Sequence, residues 1–247
     1  LETVMVYARR LTPVSRVAAT VTVIDQARIE TTLATDIREL VRYEPGLSVR
    51  NDPFRFGLDT ISVRGLGGNR VAVEVDGIPA AGGFAVGSYA DSGRAYVDAA
   101  FVDRVEFLRG PASSLYGSDA IGGVVAMTTL TPESLLARGE GDYAVRTDAG
   151  VDSASDGWRA AALAARAIGG TQWLVGYSRR KGHESDTAAD VTPNPSEYAN
   201  DSALMKVTGT VPGGPLTFTA EAGRIQQATD VNAFLGVGRF LNTTALA

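Results

Sequence analysis

The side chains that would serve as a nucleophile or a general base are few and scattered. Ser113 and Ser114 are adjacent, Asp119 follows closely, and His183 is the one histidine in the sequence. A serine hydrolase of the α/β type carries its serine in a GxSxG turn and orients a histidine beside it. Neither serine has those glycines, and no local pattern brings His183 to them. We therefore expect that the chain is not an enzyme.

Three glycines, Gly65, Gly67 and Gly68, suggest a phosphate-binding loop. The dinucleotide fingerprint GxGxxG lies between a strand and a helix, but here Arg70 stands in place of the third glycine and a strand pattern follows. These glycines are instead expected to form a tight turn between two strands. The chain has no cysteine, which excludes disulfides and thiolate metal sites.

Two arginines, Arg64 and Arg109, each end an apolar strand pattern and directly precede a glycine. A guanidinium enclosed in a protein needs a carboxylate partner, because an unpaired buried charge costs on the order of 3 to 5 kcal/mol. The alternative is that both are ordinary surface arginines. Arg104 and Glu106 either belong to the same charge network or form a solvated strand face.

Composition limits the class of partner. The net charge of −5 disfavours nucleic acid, since phosphate binding requires a basic surface. The longest uncharged stretches, 77–90 and 207–220, are rich in glycine and proline and fall short of the roughly 18 residues of a spanning helix. A β-barrel stays possible because its strands give a weaker signal.

The sequence up to about residue 135 alternates short strand patterns with turns and small helical pieces. Residues 71–75 alternate like a half-buried strand and end at Asp76-Gly77, a typical hairpin turn. Together these patterns predict a compact α+β domain. The predicted elements are strands at 20–24, 60–64, 71–75, 105–108 and 124–128, and a helix at 36–43.

From Asp142 onward, segments of about ten residues alternate with period two, the length of a tilted membrane strand. Five such segments are predicted, although the alanines of 158–168 suit a helix equally well. The links alternate between tight (Gly169-Gly170, and PGGP at 212–215) and longer and polar (152–157, 183–200 and 228 onward). This alternation favours a barrel wall over a soluble β-sandwich.

Four stretches together resemble the TonB-dependent outer-membrane receptors: ETVMV at 2–6, SVRGLGGNRVAVEVDGIP at 62–79, DRVEFLRGPASSLYGSDAIGGVVAMTT at 103–129, and the alternating segments after them. The resemblance implies an α+β plug domain followed by antiparallel transmembrane β-barrel strands. It divides the chain into a TonB box and tether at 1–9, a plug at 10–135 and the N-terminal part of a barrel at 136–247. The family's barrel has about 22 strands, so the chain is expected to be the N-terminal part of a longer receptor or an incomplete sequence.

The same resemblance implies active transport of a scarce ligand across the Gram-negative outer membrane, with the plug gating the barrel and TonB supplying the work. GGNRVAVEVDGIP, DGWRAAL, RRKGHE and PNPSEY are most similar to haemoglobin and haem receptors. The expected ligand is therefore haem or haemoglobin-derived iron, or a ferric siderophore, and the expected partners are TonB, outer-membrane lipid and a haem protein. Uptake of cobalamin or another nutrient, and a sensing module without transport, are the alternatives.

The resemblance also assigns roles to individual residues. An exposed terminal strand suits pairing with a partner strand through main-chain hydrogen bonds. Arg64 and Arg109 are expected to latch the plug by pairing with glutamates of the barrel, and Glu106 is expected to belong to the same plug–barrel latch. Tyr89 and His183 are weak candidates for ligating haem iron, and no resident metal or cofactor is expected. The expected TonB-binding residues are Glu2, Thr3, Val4, Met5 and Val6, and the expected ligand contacts are Asp52, Phe54, Arg55, Phe84, Tyr89 and Tyr116.

Overall fold

The structure is a computed structural model of the chain. It describes residues 3–4, 12–13, 20–32, 37–49, 61–80, 84–86, 90–92, 98–153, 155–184, 195–233 and 236–246.

The chain divides into two compact units, with the main boundary between Thr129 and Leu130. Helix α4 (Pro132–Leu136) is therefore the first element of the second unit. It begins in a capping box, in which the side chains of Thr131 and Ser134 each accept from the other residue's backbone N–H, and Pro132 occupies its first turn. The sequence predictions did not include this helix.

The first unit is built on a five-stranded mixed sheet in the order β3-β10-β11-β6-β7. Only the β11–β6 pair is parallel. Strands β10 and β11 are central and almost wholly buried. The strands are β3 Thr20–Asp25, β6 Val71–Val75, β7 Ile78–Pro79, β10 Val102–Arg109 and β11 Gly123–Thr129.

Smaller elements surround this sheet. Asp25 ends β3 and also caps the next helix, its carboxylate accepting from the backbone N–H of Arg28. The helices are α1 Gln26–Thr31, α2 Ile37–Val41 and α3 Ser113–Tyr116, and three strand pairs are β1 Thr3–Val4 with β2 Thr12–Pro13, β4 Leu47–Val49 with β5 Ile61–Val63, and β8 Phe84–Val86 with β9 Ala90–Ser92.

The turn predictions for the first unit are confirmed. Gly65 and Gly68 have positive φ between β5 and β6, so they form a turn and not a phosphate loop. Asp76 and Gly77 also have positive φ, 49° and 80°, in the β6–β7 hairpin. Strand 71–75 has the predicted limits, and the strands predicted at 20–24, 105–108 and 124–128 each extend beyond the prediction. The strand predicted at 60–64 and the helix predicted at 36–43 are shorter, Ile61–Val63 and Ile37–Val41.

The second unit is an antiparallel meander in which each strand pairs with the next in sequence. The described part of this unit has six strands, where the sequence predicted about five. The strands are β12 Tyr143–Asp152, β13 Gly157–Ile168, β14 Thr171–His183, β15 Ser196–Val211, β16 Gly214–Ala233 and β17 Gly236–Leu246. Among the described residues, no helix is long and apolar enough to cross a membrane.

Two details of the sequence prediction are settled by the strand pairing. Residues 158–168 form a strand and not a helix, because both β12 and β14 pair with this segment along its length. The predicted long link from 228 onward is wrong: β16 continues to Ala233, and its polar end pairs with β17. The tight links at 169–170 and 212–213 are confirmed.

The meander has two chemically different faces. The covered face carries the buried Leu163, Leu174 and Leu204, and helix α4 packs against strands β12 to β15. The opposite face, which we name the open face, alternates with it along each strand. Exposed large apolar side chains on the open face include Tyr143, Val145, Trp173, Val175, Tyr177, Leu216 and Phe218.

Candidate functional site

A largely enclosed charge network of the first unit surrounds Arg109, the last residue of β10. Its side chain is 7% exposed, and Nη2 lies 3.3 Å from Oε2 of Glu44. Nη1 donates to the hydroxyl of Thr22 at 2.6 Å, and that hydroxyl in turn donates to Glu44. Strand β3 places Thr22 here because it pairs with β10. Arg109 is therefore a buried, partnered arginine and not a surface one.

A second arginine binds the carboxylate of Glu44 through its other oxygen atom. Nη2 of Arg28, in α1, contacts the other carboxylate oxygen, Oε1. One carboxylate consequently lies between two guanidinium groups and accepts a charge-assisted hydrogen bond from each of them. Nε of Arg109 is buried and has no hydrogen-bond partner among the described residues. It is a donor that a further acceptor would satisfy.

Arg64 lies at the same end of β3 but has a different environment. Its side chain is exposed, its φ is 51°, and its backbone N–H donates to the carbonyl of Gly46 at 2.7 Å. Nη2 lies 3.5 Å from the hydroxyl of Thr20, at the limit of a hydrogen bond. The structure thus brings both predicted latch arginines to the threonines of β3.

Glu106 does not join this network. It is three positions from Arg109 on the same strand and so projects from the other face of the sheet. The residue is only 3% exposed, and Nε of Arg104 lies 2.9 Å from Oε1 of its carboxylate. The solvated-face alternative is therefore wrong for Glu106, and its place in one latch with Arg64 and Arg109 is not supported by the geometry.

The predicted TonB-binding segment is described only in part. Thr3 and Val4 form β1, which pairs antiparallel with β2 through Thr3↔Pro13 and Val4↔Thr12. It is not a strand of the five-stranded sheet. Glu2, Met5 and Val6 lie outside the described residues.

Most predicted ligand contacts also lie outside the described residues, namely Asp52, Phe54, Arg55 and Tyr89. Phe84 begins β8. Tyr116 ends α3 and packs against the cluster that contains Leu108 and Ala120, so it has a role in the core of this unit.

His183 ends β14, exposed, with its backbone N–H donating to the carbonyl of Ser155. Among the described residues, no three His, Asp or Glu side chains meet as a group that would hold a metal ion.

Sequence reasoning missed Glu44, Arg28 and Thr22. Glu44 is 65 positions from Arg109 and stands in a turn just after α2. No local sequence pattern relates the two positions. A buried guanidinium requires a carboxylate partner, but this requirement does not identify which carboxylate it is.

The open face of the second unit is the other candidate surface. One rung of directly paired residues runs Tyr143, Arg166, Trp173, Val207 and Phe218 across five strands. It lies near the end that carries the two tight links. Farther along the strands, the rungs around Val175 and Tyr177 are apolar or aromatic with small alanines between them. Such a surface is unusual in contact with water.

One family sequence model, described as TonB-dependent Receptor Plug Domain, matches residues 13–124. The chain is 34% identical over 137 residues to the Vitamin B12 transporter BtuB of Vibrio vulnificus, an alignment that spans 54% of this chain and 21% of the relative. The chain thus spans about a fifth of that relative's length.

Two solved structures share the fold. The FrpB iron transporter of Neisseria meningitidis, in its apoprotein form, superposes with a TM-score of 0.67 at 22% identity, over 84% of this chain and 32% of that chain. The ferripyoverdine receptor of the Pseudomonas aeruginosa outer membrane superposes with a TM-score of 0.69 at 17% identity, over 92% and 28%. These proteins are transporters and receptors, not enzymes, and their fold is a plug with barrel strands.

Proposed function

From the premise that residues 13–124 are a TonB-dependent receptor plug domain, we propose that the chain takes part in TonB-dependent import of a scarce ligand across the outer membrane. The observation that carries this proposal is the order of the two units. A plug domain is followed directly by an antiparallel meander with an exposed apolar face. A plugged barrel needs both parts, because the barrel crosses the membrane and the plug closes it.

Several features of the meander support insertion in a membrane. Its strands are 10 to 20 residues long, which is enough to cross a bilayer at a tilt. Tyr143 and Trp173 stand near the tight-link end, as expected of an aromatic girdle at a membrane interface. That end is then periplasmic, and the longer link at 184–195 is extracellular.

Coupling to TonB is proposed for residues 2–6. A short strand binds a partner by adding to its sheet, mainly through backbone hydrogen bonds. In the described conformation, Thr3 and Val4 use one edge for Thr12 and Pro13. TonB would either take the free edge of β1 or replace β2.

We also propose that Arg64 and Arg109 latch the plug to carboxylates of the barrel. The buried Nε of Arg109, which has no acceptor among the described residues, supports it. The exposed side chain of Arg64 supports it as well, since it is available to a carboxylate of a barrel strand. Glu44 would hold Arg109 in position for that contact.

For the ligand, we propose an iron source: haem, taken free or from a haem protein, or a ferric siderophore. The sequence resemblance to haem receptors supports haem, whereas the similarity to BtuB supports cobalamin as the alternative. Contacts would come from the plug residues Asp52, Phe54, Arg55, Phe84, Tyr89 and Tyr116, with Tyr89 or His183 as the haem ligand.

The test is uptake in a Gram-negative strain that lacks its own receptors and expresses the complete receptor. Haem, ferric siderophores and cobalamin are supplied separately. Val4→Pro removes a backbone donor and is expected to abolish uptake while leaving ligand binding intact. Thr3→Ala is the matched control, because it changes a side chain and keeps every backbone group. Uptake that persists in Val4→Pro contradicts TonB coupling, and binding without uptake in the unaltered receptor favours a sensing module.

A further inference from the structure

The guanidinium of Arg109 uses only one of the two donors on its Nε side. Nε and Nη2 of an arginine point in the same direction and together can bind both oxygens of one carboxylate. We name these two atoms the fork of Arg109. Nη2 lies 3.3 Å from Oε2 of Glu44, while Nε is buried and has no hydrogen-bond partner among the described residues. Glu44 therefore occupies one half of the fork, although its second oxygen would suit the other half.

The second oxygen of Glu44 is held by Arg28. Nη2 of Arg28 contacts Oε1 and makes the shorter of the two arginine contacts. The hydroxyl of Thr22 donates to Oε2 at 3.2 Å and accepts from Nη1 of Arg109 at 2.6 Å. These contacts keep the carboxylate in an orientation in which each arginine receives one oxygen.

The balance of charge leads to the same conclusion about Nε. Arg28, Glu44 and Arg109 together carry two positive charges and one negative charge. The side chain of Arg28 is 42% exposed, so water screens part of its charge, whereas that of Arg109 is 7% exposed and depends on protein groups. A carboxylate that is shared with Arg28 compensates Arg109 less than a carboxylate of its own would.

We propose that Arg28 is a positioning residue: by holding Oε1 of Glu44, it keeps Nε of Arg109 available to a carboxylate of the barrel. This inference rests on the proposed latch between Arg109 and the barrel. Without Arg28, Glu44 is free to bind both atoms of the fork, and Arg109 and Glu44 become a neutral pair inside the plug. Arg28 thus sets how strongly Arg109 attracts the barrel carboxylate.

The test measures how often single molecules of the complete receptor open to ions in planar phosphatidylcholine bilayers at a fixed urea concentration. A weaker latch lets the plug leave its closed arrangement more readily, so opening becomes more frequent. Arg28→Gln is expected to raise the opening frequency about threefold to tenfold, because the charge-assisted contact of Nε with the barrel is lost. Arg28→Lys keeps a cation beside Oε1, and its opening frequency should stay within about twofold of that of the unaltered receptor.

Arg42→Gln is the matched control. Arg42 is exposed, stands two positions before Glu44, and has its guanidinium carbon 5.8 Å from the centre of the Tyr43 ring. The substitution removes the same charge from the same turn and should leave the opening frequency unchanged. An equal rise in Arg42→Gln would mean that the net charge of the plug is responsible, and it would overturn the proposal.

A second comparison asks whether Arg28 acts through Arg109. If it does, Arg28→Gln adds nothing to the opening frequency of a receptor that already carries Arg109→Gln. Hydrogen exchange of the β3 and β10 amides should be unchanged in Arg28→Gln, whereas an ion pair with only a structural role predicts faster exchange. Additive effects or faster exchange would overturn the proposal, and the exchange measurement decides alone if Arg109→Gln does not fold.

The same experiment separates this inference from the proposed function. If Arg109→Gln alone leaves the opening frequency unchanged, the proposed latch is contradicted. If Arg109→Gln raises the frequency and Arg28→Gln does not, only the role of Arg28 is contradicted.

Discussion

Arg109 and Glu44 are 65 positions apart in sequence, yet Nη2 of the arginine lies 3.3 Å from Oε2 of the glutamate. Both side chains are at most 10% exposed. The contact ties the end of β10 to the turn after α2 and crosses Thr22 of β3. In chain order β3 is the first strand of the five-stranded sheet and it stands at one edge of that sheet, so this network anchors the edge strand to the turn after α2.

The two partners are expected to respond unequally to substitution. Glu44→Ala leaves Arg109 buried without a carboxylate and is expected to lower the local stability of β3 and β10 by about 3 kcal/mol. Arg109→Met leaves Glu44 still paired with Arg28, so the expected loss is only about 1 kcal/mol. Hydrogen exchange of the β3 and β10 amides measures both. Equal losses would show that Arg28 does not compensate for Arg109.

Asp76 is expected to stabilise the β6–β7 hairpin through its carboxylate. That carboxylate accepts from the backbone N–H of Thr129 at 2.8 Å and from its hydroxyl at 2.6 Å, and Thr129 is fully buried. Asp76→Ala leaves two buried donors without this acceptor at a positive φ, an expected loss of about 2 to 3 kcal/mol. Asp76→Asn keeps one acceptor and tolerates that φ, so it should lose about 1 kcal/mol or less. Thermal unfolding monitored by circular dichroism compares the two, and a similar loss in both would contradict the hydrogen-bond explanation.

Tyr198 packs over Gly182 on the neighbouring strand. A Cβ added at Gly182 would lie 2.5 Å from the tyrosine oxygen and 2.7 Å from Cζ, so Gly182→Ala must displace the ring. We expect faster amide exchange in residues 181–183 and 196–199. In Gly182→Ala with Tyr198→Ala the clash is absent, so the glycine substitution should have little further effect in that background. Additive effects of the two changes would show that the ring and the glycine are not in contact.

The sequence predicted best those strands in which the local residue pattern matches the position of the strand in the fold. Residues 71–75 alternate in sequence and Val71 and Val73 are buried, while Asp76-Gly77 supplies the positive φ that the hairpin turn needs. The end of β16 was missed for the opposite reason. Beyond Gln226 the segment has no apolar alternation, and its strand conformation comes from pairing with β17.

In the candidate site, too, some residues could be identified from the local sequence and others are brought together only by the fold. Arg64 and Arg109 were identified because an arginine at the end of an apolar strand requires a partner. Glu44 was not, because the turn after α2 is brought to Arg109 by the fold of the unit and not by any local spacing. Glu106 was grouped with the arginines by proximity in sequence, although the alternation of strand side chains separates it from Arg109.

Whether the open face contacts lipid or water can be decided by how strongly one substitution changes the stability. Val175 is 51% exposed in the middle of the apolar rungs. If lipid covers it, Val175→Arg should destabilise the inserted receptor by about 2 to 4 kcal/mol, because an arginine near the bilayer midplane loses its hydration. In water, the same change at an exposed position should stay within about 0.5 kcal/mol. Val151→Arg is the matched control: Val151 is 90% exposed on the same face, beyond the rung of Arg179, and should tolerate arginine in either case. Reversible unfolding from phosphatidylcholine vesicles measures both variants, and an equal, small effect at the two positions would contradict a membrane-facing meander.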